Sequence, residues 1–201
     1  MIILEDKAQK ENKHLVKNRY WQRQGIDVVR VPLPVGDYVL MNDKIRDVID
    51  RKSARGIEPK KMDFLGTYDV CVDSKFSIQE LVSDICGKQH ERFRDECILA
   101  QNNGIKLYVL VENDHEIVYH RNGKLIENFT ITDLKDLHRW VNPRLWIFQS
   151  GKQKYPTATK GATLMKACYT MMQKYCVEFV FCSSRDVGRR IVELLEKVGG
   201  T

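Results

Sequence analysis

The chain has 201 residues, enough for one hydrophobic core and more than the size at which small chains depend on disulfide or metal staples. With 43% hydrophobic and 30% charged residues it is neither a disordered nor a low-complexity sequence, and it holds no apolar run of the roughly 18 residues that a membrane-spanning helix needs. Its 33 basic against 27 acidic residues give a net charge of +6, which admits a polyanionic partner without demanding one.

The six cysteines, at positions 71, 86, 97, 168, 176 and 182, form no C-x-x-C pair and have no histidine at zinc-finger spacing, so they read as reduced core residues. The opening MIILEDKAQK turns charged after four residues, too short an apolar run for a signal peptide. The expectation is a single domain over 1–201 in the cytoplasm, with no membrane partner.

Met1 to Leu4 is an apolar run ending in acids, the pattern of a buried first strand whose carboxyl end faces a site. Asp6 there is either a metal ligand or a cap on the strand exit. Glu11 to Gln24 is basic and aromatic with Gly25 as a stop, which predicts a helix, and IDVVRVPL predicts the second strand. In LPVGDYVL, Gly36 permits a bend and aims Asp37 between two apolar runs; a turn aspartate bonding its own backbone is the bland alternative. KIRDVIDRKS, from Lys44 to Ser53, reads as a further strand, and the glycine- and proline-broken stretch at about 53–69 as a loop or insertion.

VCVDSK, from Val70 to Lys75, alternates as a strand does, so Asp73 and Lys75 project from one face about 7 Å apart at Cα. A carboxylate and an ammonium so placed suit phosphodiester hydrolysis, the acid holding a divalent metal and the lysine steadying a water or developing charge. The same spelling serves an exposed strand edge with alternating charges, and Asp50 and Lys52 repeat it. Ser77 and Glu80 make an S-x-x-E capping box that starts a helix near Ile78.

A second helix runs from about Gln89 to Asn103, with Phe93, Cys97 and Ala100 on its buried stripe and Arg92 and Arg94 either facing a phosphate backbone or simply solvated. IKLYVLVE predicts a strand buried on both faces. Asn122-Gly123 marks a peripheral hairpin at about 114–127. TITDLKDLHRW predicts a helix capped by Thr132 and ended at Pro143, with Trp140, Leu145 and Trp146 as core or lid packing in preference to a base-stacking platform. QSGKQKYPTATKG is a basic loop in which Lys152, Lys154 and Lys160 stand without an acid, suited to a phosphate backbone or simply solvated. A helix over 163–175, the strand CVEFVFC and a closing helix over 183–197 complete the chain. The alternation predicts an α/β three-layer sandwich, a central mixed sheet flanked by helices.

LPVGDYVL, an acid-x-Lys strand, a helix running into KQHERFRDECILAQ, and GIKLYVLVE resemble, in that order, the XPF-type nuclease domain of the PD-(D/E)XK superfamily. WVNPR and KYCVEFVFC also find counterparts in its stand-alone bacterial and phage-encoded members, which implies a bacterial or phage-infected cell. The resemblance runs from about Met1 to Leu195 and implies a restriction-endonuclease-like core. Gly36-Asp37 matches the family's Gly-Asp, and Asp73-Ser74-Lys75 its Glu-Arg-Lys with Asp for Glu. The acid four residues past the lysine is absent, since Gln79 stands there; Glu80 beside it either takes that acid's place or only caps the helix. Asp50-Arg51-Lys52 is nearer in spelling and stays open as the alternative pair.

The resemblance implies a metal-dependent DNA endonuclease in which Asp37, Asp73 and Lys75 are catalytic. Asp6, Asp37 and Asp73 would bind Mg²⁺ or Mn²⁺, and Arg92, Arg94, Lys152, Lys154 and Lys160 would grip DNA, branched or not, with homodimerisation an open expectation. The alternative is a catalytically degraded fold that binds nucleic acid or a partner.

Overall fold

The computed structural model describes residues 1–9, 15–120 and 122–197. In chain order the first elements are β1 (Ile2–Asp6), α1 (Leu15–Arg23), β2 (Asp27–Val31), β3 (Tyr38–Leu40), α2 (Asp43–Ser53), β4 (Val70–Lys75), α3 (Ile78–Cys86) and α4 (His90–Asn102). There follow β5 (Lys106–Glu112), β6 (Glu116–Tyr119), β7 (Leu125–Phe129), β8 (Phe148–Gln149), β9 (Lys152–Gln153), α5 (Gly161–Lys174), β10 (Val177–Cys182) and α6 (Val187–Glu196). Positions 11–14 of the first predicted helix lie outside the described residues.

Six strands form one mixed sheet in the order β10-β5-β4-β3-β1-β2, in which β3 runs against both neighbours and the other pairings are parallel. Parallel strands buried on both sides need near-continuous apolar sequence, and β5 supplies it from Leu107 to Val111, all buried. Alternate strand residues then divide between two cores. Leu4, Val39, Cys71, Leu107 and Val109 meet α3, α4 and α5 through Ile78, Leu81, Phe93, Cys97 and Leu164. Ile3, Tyr38, Val72, Tyr108 and Leu110 meet α1 and α6 through Trp21, Val187 and Ile191. The architecture is the predicted three-layer α/β sandwich.

The structure corrects several local expectations. Lys44 to Ser53 is helix, not strand: Asn42 Oδ1 accepts the Ile45 amide at 2.9 Å as an N-cap, and Ile45 and Val48 bury at helical spacing. The adjacent pair Val48-Ile49 had imitated a strand. After it, a 3-10 turn over Lys61–Phe64 drops Phe64 into the core. The segment predicted as a helix capped by Thr132 is a 3-10 turn, Leu134–Arg139, capped instead by Asp133, whose Oδ1 accepts the Lys135 amide at 2.7 Å. Trp140 is buried but Trp146 is exposed, so the two tryptophans do not share a packing role. The basic loop contains the β8–β9 hairpin. Four cysteines are buried and unpaired, but Cys86 and Cys176 are exposed. Among the described residues no helix is long and apolar enough to cross a membrane.

Candidate active site

Sheet register builds the site. Glu5 pairs with Tyr38, and Tyr38 pairs with Val72. Continuing each antiparallel ladder by one residue sets Asp6 opposite Asp37 and Asp37 opposite Asp73. Side chains on adjacent strands at matched positions share a face, so three carboxylates form a row across β1, the start of β3, and β4. Strands lie about 4.8 Å apart, so the outer two acids are roughly 10 Å from each other. The backbone agrees with this: the Asp6 amide donates to Asp37 O and the Asp37 amide to Val72 O, both at 2.8 Å. Gly36 makes the approach possible, because it has φ +73° and a Cβ there would lie 2.8 Å from Cys71 Cβ.

All three acids line one cleft of about 450 Å³ at the carboxyl ends of β1, β4 and β5, together with Lys17, Lys75, Arg92, Glu96 and Glu112. Asp73 and Lys75 are 4% and 5% exposed, which excludes the solvated strand edge. Lys75 Nζ lies 2.7 Å from Asp73 Oδ2 and 2.7 Å from Asp84 Oδ2, and 5.3 Å from the Phe93 ring centroid. Asp37 Oδ2 accepts the Ser74 amide at 2.8 Å and the Ser74 hydroxyl at 3.1 Å, while Gln9 Nε2 donates to Asp37 Oδ1. On the other side of Ser74, Lys17 Nζ donates to Ser74 Oγ at 3.2 Å and pairs with Glu112 Oε1 at 2.8 Å.

Packing acids this closely leaves its mark on their protonation. Burial first, then the charge of Asp73, pushes Asp37 up to about 8, against the pull of Lys75 and the Ser74 amide. Burial and Asp73 also push Glu96 up to about 7, although Glu96 Oε1 accepts the Gly36 amide at 2.9 Å. Burial works against the charge of Lys75, but Asp73, Asp84 and Asp37 outweigh it and hold the ammonium well above the ordinary lysine range.

The remaining predicted residues divide. Arg92 lines the cleft; Arg94 does not, and it pairs with Asp95 at 3.1 Å. Lys152 and Lys154 lie at the β8–β9 hairpin and Lys160 at a separate hollow beside Trp140, outside the acidic cleft. Asp6 Oδ1 accepts the Leu33 amide at 3.1 Å and Oδ2 lies 3.6 Å from Lys61 Nζ, so it braces the strand exit while facing the cleft. Asp50 is exposed, and Lys52 pairs with Asp63 at 2.9 Å, away from the cleft. Gln79 turns to Asn142 at 2.8 Å. Ser77 caps α3, its Oγ accepting the Glu80 amide at 3.2 Å, but the Glu80 carboxylate accepts the Phe76 amide at 2.7 Å and not that of Ser77, so the expected capping box is only half formed. Asp84, Glu96 and Lys17 had not been singled out from the sequence.

The donors suit a hard divalent cation. They are carboxylate oxygens gathered in one cleft, the hard ligands such an ion takes. Asp73 Oδ2 is buried and accepts no well-aligned hydrogen bond, Lys75 meeting it as an ion pair alone. Among the described residues no group of three or more carboxylate, histidine or cysteine side chains already stands within reach of one ion. The row therefore offers adjacent pairs, Asp37 with Asp73 foremost, rather than one cage built from Asp6, Asp37 and Asp73.

Residues 6–193 match the ERCC4 domain family. The structure is similar to that of XPF from Aeropyrum pernix in complex with DNA, with 12% sequence identity and a TM-score of 0.50 over 97% of this chain and 63% of that one. This chain thus spans less than two thirds of that protein's length, and the likeness concerns the fold. No curated protein matches.

Proposed function

We propose, for a chain that belongs to the ERCC4 domain family, that the acidic cleft hydrolyses phosphodiester bonds in DNA as a metal-dependent, structure-specific endonuclease. The observation that carries this reading is the row Asp6, Asp37 and Asp73 beside a buried, charged lysine in one open cleft. Asp37 and Asp73 would hold Mg²⁺ or Mn²⁺, with Asp6 supporting at the rim. A cation bound there supplies Lewis acidity toward the scissile phosphate and lowers the pKa of a bound water.

The chain's own residues do the rest. Lys75, kept as an ammonium by three acids, acts as donor and positive charge toward water and phosphate rather than as a proton acceptor. Ser74 fixes Asp37 through its amide and hydroxyl, and Lys17 fixes Ser74. Arg92 on the rim of the cleft attracts the flanking strand.

The test is a cleavage panel of linear, flapped, forked and four-way DNA with Mg²⁺ or Mn²⁺, run beside Asp73→Ala. Cleavage of branched substrates that vanishes in Asp73→Ala and in EDTA supports the reading; no cleavage of any substrate overturns it. The second reading is a binding module with a degraded site. It is favoured by Gln79, which stands at the missing acid's position and bonds Asn142 instead of facing the cleft. DNA affinity unchanged by EDTA, with no Mn²⁺ uptake, would select that reading.

A further inference from the structure

Between Trp146 and Tyr155 four large side chains stand in solvent: Trp146 at 43% exposure, Ile147 at 43%, Phe148 at 64% and Tyr155 at 38%. Soluble domains seldom leave such a group together unless it contacts something. The charge around it has one sign. Arg144, Lys152, Lys154 and Lys160 interleave with the aromatics, and 143–160 contains no acid. The Arg144 guanidinium and the Lys154 ammonium both lie within 6 Å of the Tyr155 ring, at 5.8 and 5.6 Å from its centroid.

This segment is held in shape. Phe148 pairs with Gln153 and Gln149 with Lys152, across a turn whose central residues Ser150 and Gly151 both have positive φ, 52° and 75°, the backbone twist that fits a two-residue hairpin. Its base is anchored beside the acidic cleft. Gln79 Nε2, at the start of α3, donates to Asn142 Oδ1 at 2.8 Å, and Asn142 Nδ2 donates to Thr159 O at 2.9 Å. Phe76, itself 62% exposed, lines the cleft three residues before Gln79.

From this arrangement, and resting on the reading of the cleft as a DNA nuclease, we infer that residues 143–160 are a stacking platform for an unpaired DNA strand. Bases would stack on Trp146, Phe148 and Tyr155, and phosphates would meet Arg144, Lys152 and Lys154. Exposed aromatic faces between cations suit a strand whose bases are free. A duplex hides those faces and leaves the aromatics nothing to stack on. The platform would hold the single-stranded arm while the adjoining cleft receives a phosphodiester nearby.

Tryptophan fluorescence reads this directly. Of the three tryptophans, Trp21 and Trp140 are buried and Trp146 is exposed. Titrating the full chain with oligothymidylate in EDTA should quench the emission, and Trp146→Phe should remove that response. Phe148→Ala and Tyr155→Ala should each weaken the oligothymidylate complex roughly tenfold while leaving affinity for blunt duplex unchanged. Three outcomes would overturn the platform: no quenching, an equal loss of affinity for strand and duplex, or DNA-free self-association in sedimentation that shields Trp146. Because the titration is run without a divalent metal, its failure leaves the nuclease reading of the cleft intact. A chain that stacks the strand but cuts nothing would keep the platform and lose the nuclease.

Discussion

Asp73-Ser74-Lys75 and Asp50-Arg51-Lys52 share a spelling and differ in every physical respect. On β4, residues two apart point the same way, and both side chains are buried, with Lys75 reaching Asp84 of α3 and Phe93 of α4 and with Asp37 and Glu96 close by. On α2, residues two apart point about 200° from each other, so Asp50 faces solvent and Lys52 reaches Asp63 instead. The three-letter motif joins its carboxylate and its ammonium only where the element's period brings the two ends together. Neighbouring strands must then add the rest.

Breaking the two copies in parallel gives the widest separation. Asp73→Ala should lower the initial cleavage rate of forked DNA on the order of 10³-fold, and Asp50→Ala should leave it unchanged; equal losses would place the site elsewhere. The lysines should differ in stability. Lys75→Met strands Asp73 and Asp84 as buried acids without their cation, a loss of about 3–5 kcal/mol in urea unfolding, while Lys52→Met removes a solvent-screened pair and should leave the unfolding curve nearly unmoved.

Glycines near each copy sharpen the contrast. Gly36→Ala meets both a positive φ and Cys71 at 2.8 Å, whereas Gly56→Ala meets the φ alone with nothing within 4 Å. Thermal unfolding should show about 3 kcal/mol lost at Gly36 and about 1 at Gly56. The smallest expected effects are at the caps. Ser77→Ala on α3 should cost about 1 kcal/mol, and Asn42→Ala on α2 at least as much, because Asn42 Nδ2 also donates to Thr67 O at 2.7 Å.

Much of this molecule is legible in its residue order. The unbroken apolar run of β5, the alternation of β4 and the Ser77 cap of α3 are local signals, and local physics sets them. The row of acids is not legible in that way, because it depends on β3 entering antiparallel between β1 and β4, a long-range pairing with no mark in the sequence. Glu96 left a faint trace: it falls between Phe93 and Cys97 on the buried stripe of α4, where an acid is costly unless it has a task. Lys17 left a similar one, sharing the inner face of α1 with Trp21 four residues on. Asp84 lies three residues after Leu81 on α3 and is as buried as its apolar neighbours. Val48 and Ile49 misled for the opposite reason, since two adjacent β-branched residues fit a strand as well as one turn of helix.

Calorimetric titration with Mn²⁺ addresses the cleft most directly. Wild-type protein and Asp50→Ala should take up the ion alike, and Asp73→Ala should take up none. Undiminished uptake in Asp73→Ala, or its loss in Asp50→Ala, would contradict the assignment of Asp37 and Asp73 as the seat of the cation.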